Sequence, residues 1–310
     1  MKLKPITGSF MEFYHHNPLA IWREDCCSFN NDDWRIKVRE MAFLGLDTII
    51  VTSVALKGIA FFPTKLIPQN EIISASDPLG AVLDEASKCK MRVFVGLGFF
   101  NERSISAMDP NDFALTKAIA EELLDKYGHY TSFYGWYLPE EGHIPDYFTP
   151  RYENYVGHCQ KILASLGKMP ILISPYGTRT AKADAKFSDQ LKNLGADIVA
   201  YQDEVGVLKT SPDELPQLFA SLAKAHALAG VELWANVEAF RFETIPYRSR
   251  ALPAEAERLI QQITAVSPYV SKIITYQYLG LMNPASSHAF AGPTSSIELY
   301  NGYLEFKNTL

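Results

Sequence analysis

Three glutamates stand where strand-like runs give way to loops: Glu140 and Glu141 follow Phe133-Tyr-Gly-Trp-Tyr-Leu-Pro139, and Glu238 closes Leu233-Trp-Ala-Asn-Val237. Carboxyl groups held at two such points across one pocket can divide acid and base work. One protonates a leaving oxygen while the other attacks an acetal carbon or activates water, which is the chemistry that cleaves a glycosidic bond. Alternation sets Trp234, Asn236 and Glu238 on one strand face and Leu233, Ala235 and Val237 on the other, so the polar set is expected inward. In the other run, parity with Trp136 favours Glu140 as the inward glutamate and keeps Glu141 as the alternative.

Further polar residues end the neighbouring runs: Glu12, Gln202, Asp203, Asn236, Tyr276 and Gln277. Amide and carboxyl groups suit sugar hydroxyls, and Tyr14, Trp22, Tyr176 and Phe240 offer aromatic faces on which pyranose C–H groups pack. Each has a plainer reading. A glutamate beside Arg241, Arg248 or Arg250 can be a loop ion pair, and mid-run Trp136 and Trp234 can be core filling. His15 and His16 are adjacent, with no HxH or HExxH spacing, so neither a metal nor another cofactor is expected.

Eight short β-branched and aromatic runs alternate with helical periodicity and supply these positions. Strands are expected at 6–13, 47–54, 92–99, 133–140, 171–176, 198–203, 232–238 and 272–278. Helices are expected at 33–44, 78–90, 110–127, 150–166, 183–194, 212–229, 253–266 and 295–308. Five of the eight open on proline (Pro78, Pro110, Pro150, Pro212 and Pro253), Ser211 with Glu214 reads as a capping box, and Thr149 and Asp109 read as caps. Gly45, Gly167, Gly195 and Gly230 mark short turns from helix to strand. The connections from strand to helix at 14–31, 56–76 and 241–252 are longer and richer in aromatic residues. The pattern is that of a single (β/α)8 TIM barrel over residues 1–310, binding at the C-terminal ends of its strands.

A net charge of -6 with no basic stripe argues against nucleic acid, and the apolar runs are far short of the roughly 20 residues that span a bilayer. Cys26, Cys27, Cys89 and Cys159 lack CxxC spacing and read as free thiols. Residues 1–13 lack the features of a signal peptide, so a cytoplasmic chain is expected if Met1 is the native start, and a periplasmic or secreted one if a leader has been removed. The partner expected is a carbohydrate. Two rivals stand beside hydrolysis: a catalytically silent carbohydrate-binding barrel, and another barrel enzyme such as a lyase, an aldolase or a phosphosugar isomerase. Schiff-base chemistry needs a lysine near the inner end of a strand, whereas Lys272 starts strand eight and Lys57 lies beyond strand two.

The layout resembles the large clan of (β/α)8 glycoside hydrolases (clan A), in which an acid/base glutamate follows strand four and a nucleophilic glutamate strand seven. Trp136-Tyr-Leu-Pro139-Glu140 is similar to that clan's Trp-x-x-Asn-Glu, with Pro139 in place of asparagine and with Tyr276 and Tyr278 where a strand-eight tryptophan is usual. The resemblance implies a retaining glycosidase with Glu140 as acid/base and Glu238 as nucleophile. Gly135-Trp-Tyr-Leu-Pro-Glu-Glu141, Ala200-Tyr-Gln-Asp203 and Trp234-Ala-Asn-Val-Glu238 look more like a bacterial barrel family known as a domain of unknown function and linked to glycosidase activity.

Overall fold

The computed structural model describes residues 3–102, 106–109 and 112–310. Eight parallel strands close a barrel: β1 Ile6–Met11, β2 Thr48–Val51, β3 Arg92–Gly96, β4 Phe133–Leu138, β5 Ile171–Ile173, β6 Ile198–Gln202, β7 Glu232–Glu238 and β8 Lys272–Tyr276, each paired with its sequence neighbour and β8 with β1. A helix follows each: α1 Asn31–Phe43, α2 Pro78–Lys88, α3 Phe113–Tyr127, α4 Pro150–Leu166, α5 Ala185–Leu194, α6 Leu215–Ala229, α7 Ala256–Val266 and α8 Ser295–Lys307. This is the expected (β/α)8 TIM barrel.

Several strands end earlier than expected. Pro139 and Pro175 have no N–H to give to a ladder, so β4 stops at Leu138 and β5 at Ile173. Pro78 and Pro150 open their helices, with Asp77 and Thr149 capping Gly80 and Tyr152. Pro212 and Pro253 do not. The Ser211 backbone and hydroxyl both donate to Glu214, a turn that delays α6 to Leu215, and Pro253 ends an antiparallel ribbon. Pro110 lies outside the described residues, and α3 begins at Phe113 after Asp112 rather than at a cap on Asp109. Gly45, Gly195 and Gly230 take left-handed backbone at the short turns that carry α1, α5 and α6 into the next strand.

Two apolar layers fix the barrel. Phe10, Ile50, Phe94, Tyr137, Leu172, Ile198, Ala200, Trp234 and Ile274 fill its interior, with Phe10 edge-on to Tyr137 at 5.2 Å and Phe94 edge-on to Trp234 at 5.9 Å. The second layer lies between strands and helices and contains Trp136, packed on Phe133. The interior plug closes the barrel below, so polar residues at the strand ends face one space above it. The lysine at the start of β8, Lys272, pairs with Asp47 at the opposite end. No helix of the described residues is long and apolar enough to cross a membrane, and all four cysteines are unpaired.

Candidate active site

The expected β7 alternation is present: Trp234 lies in the barrel interior, and Asn236 and Glu238 line the cleft above it. Glu238 is 3% exposed, and its Oε2 accepts from the Val207 amide at 2.9 Å. Gly206 permits that contact, because a Cβ there would sit 2.5 Å from the Phe240 carbonyl and 2.9 Å from Glu238 Oε2. Glu204 and Leu208 of the same loop hold left-handed backbone (φ of 57° and 61°), a conformation that non-glycine residues adopt at a cost. Asp203 is fully buried beside Glu238, accepting from the Glu238 and Val205 amides and from Gln262. Burial, then the Asp203 charge, push the Glu238 carboxyl well above its ordinary range; burial also raises Asp203, to about 6.

On β4 the parity expectation is corrected. Trp136 faces the helices and Tyr137 the barrel interior, the reverse of the facing expected for Trp136, and β4 ends at Leu138 before either glutamate. Both glutamates line the cleft, with different partners. Glu140 Oε2 accepts from the Ser106 hydroxyl at 3.0 Å and the Ala107 amide at 2.8 Å, which ties it to the loop after β3. Glu141 is held over the interior plug with Gln202 and the Tyr137 hydroxyl as donors. Burial raises it to about 7 against those hydrogen bonds. Glu141 and Glu238 share a space: both raise the phenols of Tyr276 and Tyr247, which burial has already raised, Tyr247 to about 12.

The cleft holds about 690 Å³. Of the residues expected from sequence, Glu12, Tyr14, Trp22, Glu140, Glu141, Tyr176, Gln202, Asn236, Glu238, Phe240 and Tyr276 line it, whereas Asp203 and Gln277 do not. Asp203 lies behind Glu238, and Gln277, 0% exposed, turns its amide onto Glu12. Trp22, expected to offer its face to a sugar, is 2% exposed and donates its indole N–H to Glu12 at 2.7 Å. Several wall residues were not among those expected as sugar contacts: Thr52, Ser53, Lys209 and Tyr247. Thr52 and Ser53 stand just past the end of β2, whereas loop backbone brings in Lys209 and Tyr247, the latter at φ 63° on the turn of the ribbon 240–253. His15 and His16 also line the wall, stacked at 5.0 Å, and among the described residues no three histidine, cysteine or acidic groups gather as metal ligands.

No functionally curated protein matches the chain. Solved structures do. A provisionally named alpha-L-fucosidase of Bacteroides thetaiotaomicron VPI-5482 superposes with a TM-score of 0.75 at 23% identity, over 99% of this chain and 94% of that one. A GH113 beta-mannanase of Alicyclobacillus acidocaldarius matches with a TM-score of 0.58 at 10% identity over 99% and 98% of the two chains. A GH99 endo-alpha-mannosidase of Bacteroides thetaiotaomicron matches with a TM-score of 0.56 at 11% identity over 99% and 98%. The fold is thus one that glycoside hydrolases use. A family model matches residues 6–288, and the chain belongs to that family, the domain of unknown function DUF4434.

Proposed function

We propose that the chain is a glycoside hydrolase whose working pair is Glu141 and Glu238. One observation carries the reading: two carboxyls from β4 and β7 face one cleft, each raised by burial. Such a pair retains a proton near neutral pH, as acid-assisted cleavage of an acetal requires. The two environments divide the roles. Glu238 has one amide donor and the Asp203 charge beside it, so it carries the proton and delivers it to the glycosidic oxygen. Glu141 has the donors Gln202 and Tyr137 to stabilise its anion and is the base or nucleophile at the anomeric carbon. This exchanges the roles that the clan resemblance implies, and it gives Glu140 the part of holding the Ser106–Ala107 loop.

The test is turnover of a panel of neutral glycosides by the full chain and by E141Q, E238Q and E140Q. Wild type cleaves at least one glycoside, E141Q and E238Q fall at least about 10³-fold, and E140Q stays within about tenfold. Binding of a glycan that wild type never cleaves identifies a carbohydrate-binding barrel instead.

A further inference from the structure

The cleft contains a third carboxylate that the hydrolytic pair does not use. Glu12 follows β1 and is 7% exposed. Its Oε1 accepts from the Trp22 indole N–H at 2.7 Å, the Gln277 amide at 3.0 Å and the Tyr276 hydroxyl at 3.3 Å. All three donors converge on one oxygen, and all are uncharged. Oε2 has no partner among the described residues, and the side chain lines the cleft. A loop carboxylate free to solvate itself would spread its donors over both oxygens. Here one oxygen is saturated, which fixes the plane of the carboxylate, and the other is presented as an acceptor.

The charge of the surrounding wall narrows the ligand. Glu12, Glu140, Glu141, Glu204 and Glu238 line the cleft, and among the described residues Lys209 is the one lysine or arginine that lines it. Lys209 is committed, 3.3 Å from Glu204 and 4.8 Å from the centre of the Tyr176 ring. A sugar carboxylate or sulfate would enter beside Glu12 and Glu140 with no uncommitted lysine or arginine among the described lining residues to meet it. Hydroxyl groups meet no such penalty, because each can donate to Oε2, which is open to the cleft and has no partner among the described residues.

We propose that Glu12 is the recognition carboxylate of the sugar subsite, its Oε2 accepting from adjacent hydroxyls of an uncharged pyranose, and that the cleft excludes uronic and sulfated sugars. The proposal rests on the glycosidase reading for its ligand class, yet its test reads binding and needs no turnover. Methyl glycosides of mannose, glucose, galactose and fucose, with glucuronate and galacturonate, are titrated against the full chain by calorimetry. The tightest neutral glycoside is then followed through its mono-deoxy series. Wild type binds a neutral glycoside and neither uronate; E12Q weakens that binding about 10- to 100-fold. The deoxy derivatives that weaken wild type about tenfold bind E12Q no worse than the parent sugar does, a coupling that a merely structural role of Glu12 would not produce. Should E12Q fail to fold, the wild-type deoxy series and the uronate comparison decide. Equal binding by E12Q, absence of hydroxyl dependence, a uronate bound as tightly as its neutral counterpart, or no binding of any panel sugar overturns the proposal. Loss of hydrolysis with Glu12-dependent binding intact counts against the catalytic pair alone.

Discussion

Replacing Glu141 by glutamine removes a carboxyl whose ionisation the fold resists, so E141Q is expected to gain stability as it loses activity. Burial lifts the Glu141 carboxyl from its ordinary 4.5 to about 7. The folded chain therefore holds this proton more tightly than the unfolded one. The contribution of the group to stability is fully present below pH 4.5 and is lost as pH rises through 7. At about 1.4 kcal/mol per tenfold in proton affinity, the loss by pH 8.5 is at most roughly 3 kcal/mol, reduced to about 2 by water reaching the open side of the cleft. Glutamine has no proton to lose, and its amide oxygen still accepts from Tyr137 and Gln202. Urea denaturation of both proteins at pH 4.5 and pH 8.5 reads the difference. The two should agree within about 0.5 kcal/mol at the lower pH, with E141Q more stable by about 2 kcal/mol at the higher. An advantage that does not grow with pH refutes the claim that burial opposes the Glu141 charge.

The same shifts set a pH–rate profile: kcat/KM should rise as Glu141 ionises through about pH 7 and fall where Glu238, raised further by Asp203, gives up its proton, so an optimum below pH 6 contradicts the roles assigned. Gly206→Ala should cut turnover more than tenfold and also lower the melting temperature, since the added Cβ would lie 2.5 Å from the Phe240 carbonyl and 2.9 Å from Glu238 Oε2; parallel turnover and melting curves check both halves, and unchanged turnover would contradict the tight fit of the loop on Glu238. Away from the cleft, the fully buried Lys37 ammonium lies 2.8 Å from Glu40 Oε2 and 2.7 Å from Asn283 Oδ1. Glu40→Ala leaves that ammonium without its counter-charge and should cost about 3–5 kcal/mol in denaturant unfolding, whereas an effect below about 1 kcal/mol would show the pair to be inert.

How legible each part was in the sequence follows from which faces of an element are buried. β7 carries small or aliphatic residues toward the helices and tryptophan, asparagine and glutamate toward the barrel, so its period of two could be read directly. β4 is covered on both faces by large side chains, Trp136 outside and Tyr137 inside, and two adjacent aromatics erase the alternation. Its pairing with β3 also slips between Val93 and Phe94, a bulge that no residue type announces. That is why parity selected Glu140. The strand-end rule found Glu12, Gln202, Asn236 and Tyr276, and failed at Asp203 and Gln277, where one residue beyond a strand decides whether a side chain enters the cleft or turns behind it. Lys209 and Tyr247 depend on loop backbone with positive φ at Glu204, Leu208 and Tyr247, which composition does not encode.

A crystal structure of E141Q with an intact cleavable glycoside bound tests the catalytic assignment most directly. The account predicts the scissile glycosidic oxygen about 2.6–3.2 Å from the Glu238 carboxyl, with residue 141 facing the anomeric carbon. A glycosidic oxygen held by Glu140, or a gap between the side-chain amide at position 141 and the Glu238 carboxyl well beyond about 10 Å, contradicts it.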